Sequence, residues 1–84
     1  MSELSDFELA TLRALADSCN YSLAAHVPIE AVTSRFKKHL RGDVKKTLPK
    51  LRSKGYCILH PTGRNMTWQL TKEGLNIARE KMKF

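Results

Sequence analysis

Apolar side chains recur at intervals of three and four residues in the first half of the chain, which is the spacing of one buried helix face. Ser5 and Glu8 fit a capping box, so a first helix is expected to begin at Ser5 and to end near Asn20. Pro28 suits the first turn of a second helix, and the pattern there continues to about Lys38. The expected core positions of these two helices are Leu9, Leu12, Leu15, Ala16, Cys19, Ile29, Val32 and Phe36.

The same spacing returns in a third helix and in a last helix. Asp43 is the expected N-cap of the third helix, after a short turn that contains glycine, and Gly55 is its expected left-handed C-cap. Thr71 is the expected cap of the last helix. The core positions are Val44, Leu48 and Leu51 in the third helix and Leu75, Ala78 and Met82 in the last. Ile77 and Phe84 add apolar area beyond one stripe, which favours a partner surface on the last helix.

Between the third and last helices the pattern changes to the alternation of a strand. Residues 56–60 favour a strand, residues 61–65 have the composition of a turn, and a second strand follows from Met66, which together predict a hairpin. The alternation predicts that Met66, Trp68 and Leu70 are buried and that Thr67 and Gln69 are exposed. A further, very short strand is expected at His26 and Val27.

Pro49 lies inside the third helix. Proline there removes one hydrogen bond to the Lys45 carbonyl and crowds that carbonyl, at a cost of about 3 kcal/mol in a regular helix. Two structures fit: a helix from Asp43 that bends at Pro49, or a separate turn followed by a shorter helix. The first is favoured, because Val44 shares the apolar stripe of Leu48.

Composition favours one small domain, expected to cover residues 1–84. A chain of 84 residues with 42% hydrophobic residues can build a single core. No stretch resembles a signal peptide, and the longest apolar run, residues 56–59, is far too short to cross a bilayer. We therefore expect a soluble, cytoplasmic protein that does not contact membranes. Cys19 and Cys57 do not form a disulfide pattern, so reduced thiols are expected.

Positive charge is concentrated in one segment. The formal net charge is +7, yet residues 1–34 hold one Arg and five acidic residues. Residues 35–64, called the cationic segment below, hold ten Lys and Arg residues and one Asp. Such clustering is typical of a surface that binds phosphates or anionic lipid, and the alternative is a solvated face that serves solubility.

The order of these elements resembles a known family. Two parts have the likeness: "LPKLRSKGY" at residues 48–56, where two leucines precede a glycine and an aromatic residue, and "WQLTKEG" at residues 68–74, where a strand leads into a helix. Both resemble the winged helix-turn-helix domains of prokaryotic and archaeal MarR- and PadR-like transcriptional regulators. The resemblance implies an α+β fold with a three-helix core, a two-stranded hairpin wing and a C-terminal helix. It also implies a recognition helix in the major groove, a wing on the backbone or minor groove, and often a homodimer.

Double-stranded DNA is the expected partner, and binding should weaken steeply with salt, because each neutralised phosphate releases counterions. The candidate contacts lie in the third helix (about 43–54), in the segment before it and in the wing (about 60–66). They are Lys37, Lys38, Arg41, Lys45, Lys46, Thr47, Lys50, Arg52, Arg64 and Asn65. The third helix contains no Asn or Gln, the usual bidentate readers of adenine, so modest sequence discrimination is expected. Transcription regulation, association with the nucleoid and a homodimer through the last helix are further hypotheses.

Other function classes have little support in the sequence. The three His residues are scattered and no nucleophile has a recognisable partner, so an enzyme is not expected. Cys57 and His60 are two ligands short of a structural zinc site, and we expect Cys57 to be buried and His60 to be exposed in the turn. No cofactor or small-molecule ligand is expected. The competing hypothesis is a winged-helix module that binds protein or RNA in a larger assembly, because a fold alone does not define function.

Overall fold

The computed structural model of the protein describes residues 4–62 and 65–80. In chain order its elements are helix α1 (Asp6–Ser18), strand β1 (His26–Pro28), helix α2 (Ile29–Thr33), a 3-10 turn (Lys38–Leu40), helix α3 (Arg41–Ser53), strands β2 (Cys57–Thr62) and β3 (Asn65–Leu70), and helix α4 (Lys72–Glu80). The strands form one antiparallel sheet in the order β1-β3-β2. The predicted α+β class is confirmed.

An apolar core joins the helices to one face of the sheet. Its centre contains leucines of α1 and α3 that have no exposed area, with Val32 of α2 and Ala78 of α4 in the same cluster. The predicted stripes of α1, α3 and α4 are confirmed at Leu12, Leu15, Ala16, Cys19, Val44, Leu48, Leu51, Leu75 and Ala78. Leu9 is only half-buried, and Met82 and Phe84 lie outside the described residues. Each fully buried leucine contributes roughly 1.5–3 kcal/mol, so this cluster positions α3 firmly.

Both ends of α1 follow from local hydrogen bonding. The Ser5 hydroxyl accepts from the Glu8 N–H at 3.1 Å and Glu8 Oε1 accepts from the Ser5 N–H at 2.8 Å, so the predicted capping box is confirmed. At the other end Asn20 has a φ of 54°. Its N–H and that of Tyr21 donate to carbonyls of the last turn at 3.1 and 2.7 Å, which forms a Schellman motif. Asn20 therefore ends the helix as predicted.

The second helix is shorter than predicted, because it ends at Thr33 and not near Lys38. The hydroxyls of Thr33 and Ser34 donate to carbonyls of the preceding turn. Side-chain bonds of this kind compete with the continuation of a helix. Phe36 then lies beyond the helix and packs against Phe7 of α1, with ring centroids 5.8 Å apart. Phe36 fits the helical spacing of apolar residues in the sequence because it packs against the core, although it lies outside the helix.

Helix α3 begins at Arg41, so the prediction of Asp43 as its N-cap is wrong. The backbone is already in the right-handed helical region at Leu40, because the 3-10 turn leads directly into the helix. Among the described residues no side chain caps this end. Asp43 lies in the first turn instead, where a carboxylate interacts favourably with the helix dipole.

Gly55 and Thr71 connect α3, the sheet and α4. Gly55 has a φ of 86° and ends α3, and the Tyr56 N–H donates to the Leu51 carbonyl at 3.0 Å. Thr71 Oγ1 donates to the Gly55 carbonyl at 2.6 Å and accepts from the Gly74 N–H at 3.1 Å. Both predicted caps are confirmed, and one threonine holds the start of α4 against the end of α3.

Pro49 lies within a continuous α3, so the helix is neither split nor shortened there. Of the two expected structures, this excludes a separate turn followed by a shorter helix, and the expected bend at Pro49 stays a prediction. Pro49 is exposed, on the side of α3 opposite the buried residues Val44, Leu48 and Leu51. Its missing N–H therefore costs the helix a hydrogen bond on the solvent side, where water can satisfy the Lys45 carbonyl.

We expect Pro49→Ala to stabilise the protein by about 2 kcal/mol. Alanine supplies an N–H to the Lys45 carbonyl and removes the ring that crowds it, while the greater freedom of the unfolded chain offsets part of the gain. Urea unfolding should show a higher midpoint at an unchanged slope. Ser53→Ala, an exposed control in the same helix, should change stability by less than about 0.5 kcal/mol. A less stable Pro49→Ala protein would mean that the proline ring makes stabilising native contacts.

The central strand β3 pairs with β1 on one side and with β2 on the other. Strand β1 confirms the short strand expected at His26 and Val27. The predicted turn over residues 61–65 is too long, since Pro61 lies in β2 opposite Met66. In this sheet β2 is an edge strand, where the missing N–H of proline is tolerated.

The predicted alternation along β3 is only partly right. Trp68 and Leu70 are buried as expected, but Met66 is 50% exposed and Thr67 is only 7% exposed. Met66 lies near the hairpin end and outside the core cluster. Thr67 lies on the other face of the central strand, where strands flank it on both sides, and its hydroxyl donates to the His60 carbonyl at 2.9 Å. Burial along β3 therefore depends on its central place between β1 and β2 as well as on the alternation of apolar and polar residues.

Candidate nucleic-acid interface

Helix α3 has an apolar face and a cationic face. Its buried residues are Val44, Thr47, Leu48 and Leu51. Its exposed residues include four bases, Lys45, Lys46, Lys50 and Arg52. At about 100° per residue, Lys46 lies opposite the buried face with Lys50 beside it, and Lys45 and Arg52 lie on the other flank. Positive charge therefore predominates on the exposed side of α3, which also contains Asp43, Pro49 and Ser53.

Thr47 does not belong to this cationic face. The residue is 7% exposed, and its hydroxyl donates to the Asp43 carbonyl at 2.7 Å. In the sequence it stands between lysines, which made it a candidate DNA contact. The helical rotation places it beside Val44 on the buried side, so the expectation of an accessible Thr47 is wrong.

The segment before α3 adds further positive charge. Lys37 and Lys38 are exposed at the 3-10 turn, and Arg41 is exposed at the first residue of α3. Arg41 Nε donates to the Phe36 carbonyl at 3.2 Å, which holds this arginine at the connection between α2 and α3. The candidate DNA contacts before α3 and those on α3 thus belong to one continuous stretch of the chain, from Lys37 to Arg52.

Two bases of the cationic segment pair with acidic residues of α1. Arg35 forms an ion pair with Asp17 and donates from Nε to Ser18 Oγ at 2.7 Å. Lys54 Nζ lies 3.2 Å from Glu8 Oε2. Neither base is among the predicted DNA contacts. The pairs partly neutralise two positive charges and connect the cationic segment to the first helix.

Neither ion pair was predicted from the sequence. Lys54 and Glu8 are 46 positions apart, and Arg35 and Asp17 are 18 positions apart. The contrast between the acidic residues 1–34 and the cationic segment is a general signal for such pairs. Which side chains meet depends on how α1 packs beside the rest of the chain.

An open cleft of about 410 Å³ lies between the N-terminus of α1 and α3. It is lined by Ser5, Phe7 and Glu8 on one side and by Asp43, Lys46, Thr47 and Lys50 on the other. Charge in this cleft is mixed, because the two carboxylates stand near the two lysines. Lys45 and Arg52, on the opposite flank of α3, do not line it.

The pKa of Glu8 is lowered from its ordinary value. The largest cause is the hydrogen bond from the Ser5 N–H, and Lys54 contributes a hydrogen bond and its charge, whereas partial burial of the carboxyl acts in the opposite direction. A lowered pKa means that the ionised carboxyl stabilises the folded protein, and this contribution is lost as the pH falls through the folded-state pKa. Glu8 is therefore a fixed negative charge beside Lys54 at neutral pH.

The wing candidates are only partly within the described residues. Arg64 lies outside them. Asn65 begins β3 opposite Thr62, and its backbone alone is described. The contribution of the wing to the interface therefore stays a prediction from the sequence.

No group of three or more His, Cys, Asp or Glu side chains within residues 4–62 and 65–80 is placed to hold a metal ion. Cys57 is buried as predicted, and burial raises the pKa of its thiol to about 12, so it stays protonated and unreactive. His60 is exposed, but in β2 and not in a turn. Among the residues that the structure describes, none of the helices has both the length and the hydrophobicity of a membrane-spanning segment.

No protein-family model, curated protein or solved structure matches the chain. Function is therefore inferred from the residues and geometry of the chain itself.

Proposed function

We propose that the protein binds double-stranded DNA and regulates transcription as a winged helix-turn-helix domain, similar to the MarR- and PadR-like regulators. In this proposal α3 is the recognition helix in the major groove, α2 precedes it in the helix-turn-helix, and the β2–β3 hairpin is the wing on the backbone or minor groove. The helices, their order and the antiparallel sheet are compatible with that fold. Such a regulator acts in the cytoplasm at the nucleoid.

The cationic face of α3 is the observation that supports this proposal most. Its four exposed bases project from a helix whose other side is anchored in the core. A rigid helix with bases on its exposed side can contact phosphates along a groove and fix the protein on the duplex. Among the described residues, the ion pairs with acidic side chains involve Arg35 and Lys54 and not these four bases.

Lysine dominates the face, which favours phosphate contacts over base recognition. Lys46 and Lys50 flank Pro49 in the middle of α3, and none of these side chains makes the bidentate contact that reads adenine. Arg41 and Arg52, at the two ends of the helix, are the residues suited to guanine. Modest sequence discrimination is therefore part of the proposal.

The direct test is binding of the purified protein to duplex DNA over a range of salt concentrations. Seven exposed bases are the candidate contacts in the described residues: Lys37, Lys38, Arg41, Lys45, Lys46, Lys50 and Arg52. If all contact phosphates, log K should fall with log salt with a slope of about −6. No duplex binding at low salt would contradict the proposal. A stable complex with a purified protein or RNA, without duplex binding, would support the interaction module instead.

We expect Glu8→Gln to strengthen DNA binding. Glutamine keeps the capping box, because its side-chain oxygen can accept from the Ser5 N–H, but it removes the charge that pairs with Lys54. A released Lys54 can add one phosphate contact and so steepen the salt slope by up to about 1. Glu73→Gln, an equal change of charge at an exposed position of α4, is the control. If DNA affinity increases equally in both variants, the change in net charge and not the release of Lys54 accounts for the effect.

A homodimer through α4 remains a separate proposal. Ile77, one of the residues that suggested it, packs against the core, and Met82 and Phe84 lie outside the described residues. In a dimer bound to two half-sites, the recognition helices would be about 34–36 Å apart. Sedimentation that finds only monomer at high micromolar concentration would contradict the dimer.

A further inference from the structure

The outer face of the sheet differs in chemistry from the cationic face of α3. The three strands contain no Lys, Arg, Asp or Glu. Residues directly opposite each other on paired strands share a face, so the pairs His26 with Gln69 and His60 with Thr67 place both histidines on one face. Trp68, between Thr67 and Gln69, is buried on the other face. Both histidines therefore project from the outer face.

His26 and His60 approach each other across the central strand. They belong to β1 and β2, which are separated by β3, yet their ring centroids are 4.7 Å apart and their planes are within 15° of parallel. Both residues are exposed. Because each ring is carried by a strand that is hydrogen-bonded to β3, the sheet and not a flexible loop determines their separation.

His60 also has a partner that can orient its ring. Its Nδ1 lies 3.3 Å from the Pro61 carbonyl oxygen. A carbonyl only accepts, so this contact is a hydrogen bond when Nδ1 carries the proton, and Nε2 then holds the free lone pair. Metal-binding histidines are commonly oriented by such a hydrogen bond from the second ring nitrogen.

The distance between the rings suits two imidazoles on one metal ion. With metal–nitrogen distances of about 2.0–2.1 Å, the centroids of two neighbouring imidazole ligands lie about 5 Å apart. The observed separation of 4.7 Å agrees with this geometry. Parallel rings direct their lone pairs side by side, so rotation about the soft Cβ–Cγ torsion is needed to direct both at one ion.

We propose that His26 and His60 form a binding site for a divalent transition-metal ion that prefers imidazole, such as Zn²⁺, Ni²⁺ or Cu²⁺. One ring nitrogen of each histidine binds the ion, and water molecules complete the coordination. The strands add no positive charge that would repel it. Cys19 and Cys57 are buried, so their thiols do not compete in the folded protein. The site does not depend on DNA binding, and a bound ion links β1 to β2 and stabilises the sheet by mass action.

A Zn²⁺ titration of the unmodified protein tests the site. It is followed by the carbon-bound imidazole proton signals in NMR at mildly alkaline pH, because metal ions bind neutral imidazole. The signals of His26 and His60 are expected to shift together and to saturate, with one ion per chain by calorimetry. The signals of His39, exposed in the 3-10 turn, are expected to stay in place. An equal response of all three histidines, or no saturation below millimolar Zn²⁺, would overturn the proposal.

Matched variants identify the ligands. His26→Gln and His60→Gln should each weaken Zn²⁺ binding by roughly 10-fold or more. Loss of a residue that only orients a ligand already costs about 10-fold in metal affinity, and loss of the ligand itself should cost at least as much. His39→Gln is the control and should bind like the parent. Circular dichroism without metal verifies the fold of each variant. If a variant does not fold, the NMR titration of the unmodified protein decides whether His26 and His60 bind the ion. Full affinity in either ligand variant would contradict the site.

Discussion

Gly74→Ala is expected to destabilise the protein by roughly 3 kcal/mol or more, the upper range for overpacking. A Cβ at this position would lie 1.8 Å from the Tyr56 carbonyl oxygen and 2.8 Å from the carbonyl carbon. Both are backbone atoms, and the Thr71 N–H donates to the same oxygen at 3.3 Å, so a shift disturbs the junction of the sheet with α4. Relief requires α4 to move away from Tyr56, which uncovers Leu75 and Ala78.

Gly42→Ala is the matched control for Gly74→Ala. Gly42 also lies in the first turn of a helix, but a Cβ there would meet no atom within 4 Å. Since alanine has the higher helix propensity, this variant should be more stable than the parent by about 0.5–1 kcal/mol. Urea unfolding should therefore shift the two midpoints in opposite directions. A Gly74→Ala protein as stable as the parent would mean that α4 does not approach Tyr56 closely.

The combined substitutions Lys46→Ala and Lys50→Ala are expected to weaken duplex binding and to flatten its salt dependence. Each lysine that no longer neutralises a phosphate reduces the slope by about 0.9, so the slope should fall by about 2. Both side chains are exposed on α3, and alanine is the better helix former, so folding stability should not decrease. Fluorescence anisotropy of a labelled duplex at several salt concentrations measures the slope.

The control for this pair is Lys72→Ala with Arg79→Ala, which removes the same charge from exposed positions of α4. Helix α4 packs against α1 and β3 and is not the proposed recognition helix. Its bases should therefore contribute little to the salt dependence of duplex binding. Parental affinity and slope in the Lys46 and Lys50 variant would show that α3 is not the recognition helix. An equal loss in both double variants would indicate attraction by net charge alone.

Features that depend on close neighbours in the chain were predictable from the sequence. Ser5 and Glu8 are three positions apart and cap α1 through their own backbone groups. Gly55 ends α3 because glycine adopts a φ of 86° without strain, and Thr71 caps α4 three positions before Gly74. The apolar stripe of α3 was predictable for the same reason, since helical periodicity relates residues one turn apart.

Features that depend on distant segments were not predictable in this way. The apolar spacing around Phe36 suggests a longer α2, but this side chain packs against Phe7 after the helix has ended. Alternation along β3 predicts an exposed Thr67, but the central place of β3 between two strands buries it. The apolar and polar pattern of one strand does not show which strands lie beside it in the sheet, and burial depends on those neighbours.

At the candidate interface, the sequence by itself determined that α3 is cationic and which of its sides is apolar. Only the tertiary structure decided that Lys54 and Arg35 pair with acidic residues of α1, and that His26 meets His60 across a strand. The physical reason is the range of the interactions. Helix periodicity and capping act within one turn, whereas ion pairs and ring contacts depend on how whole elements pack.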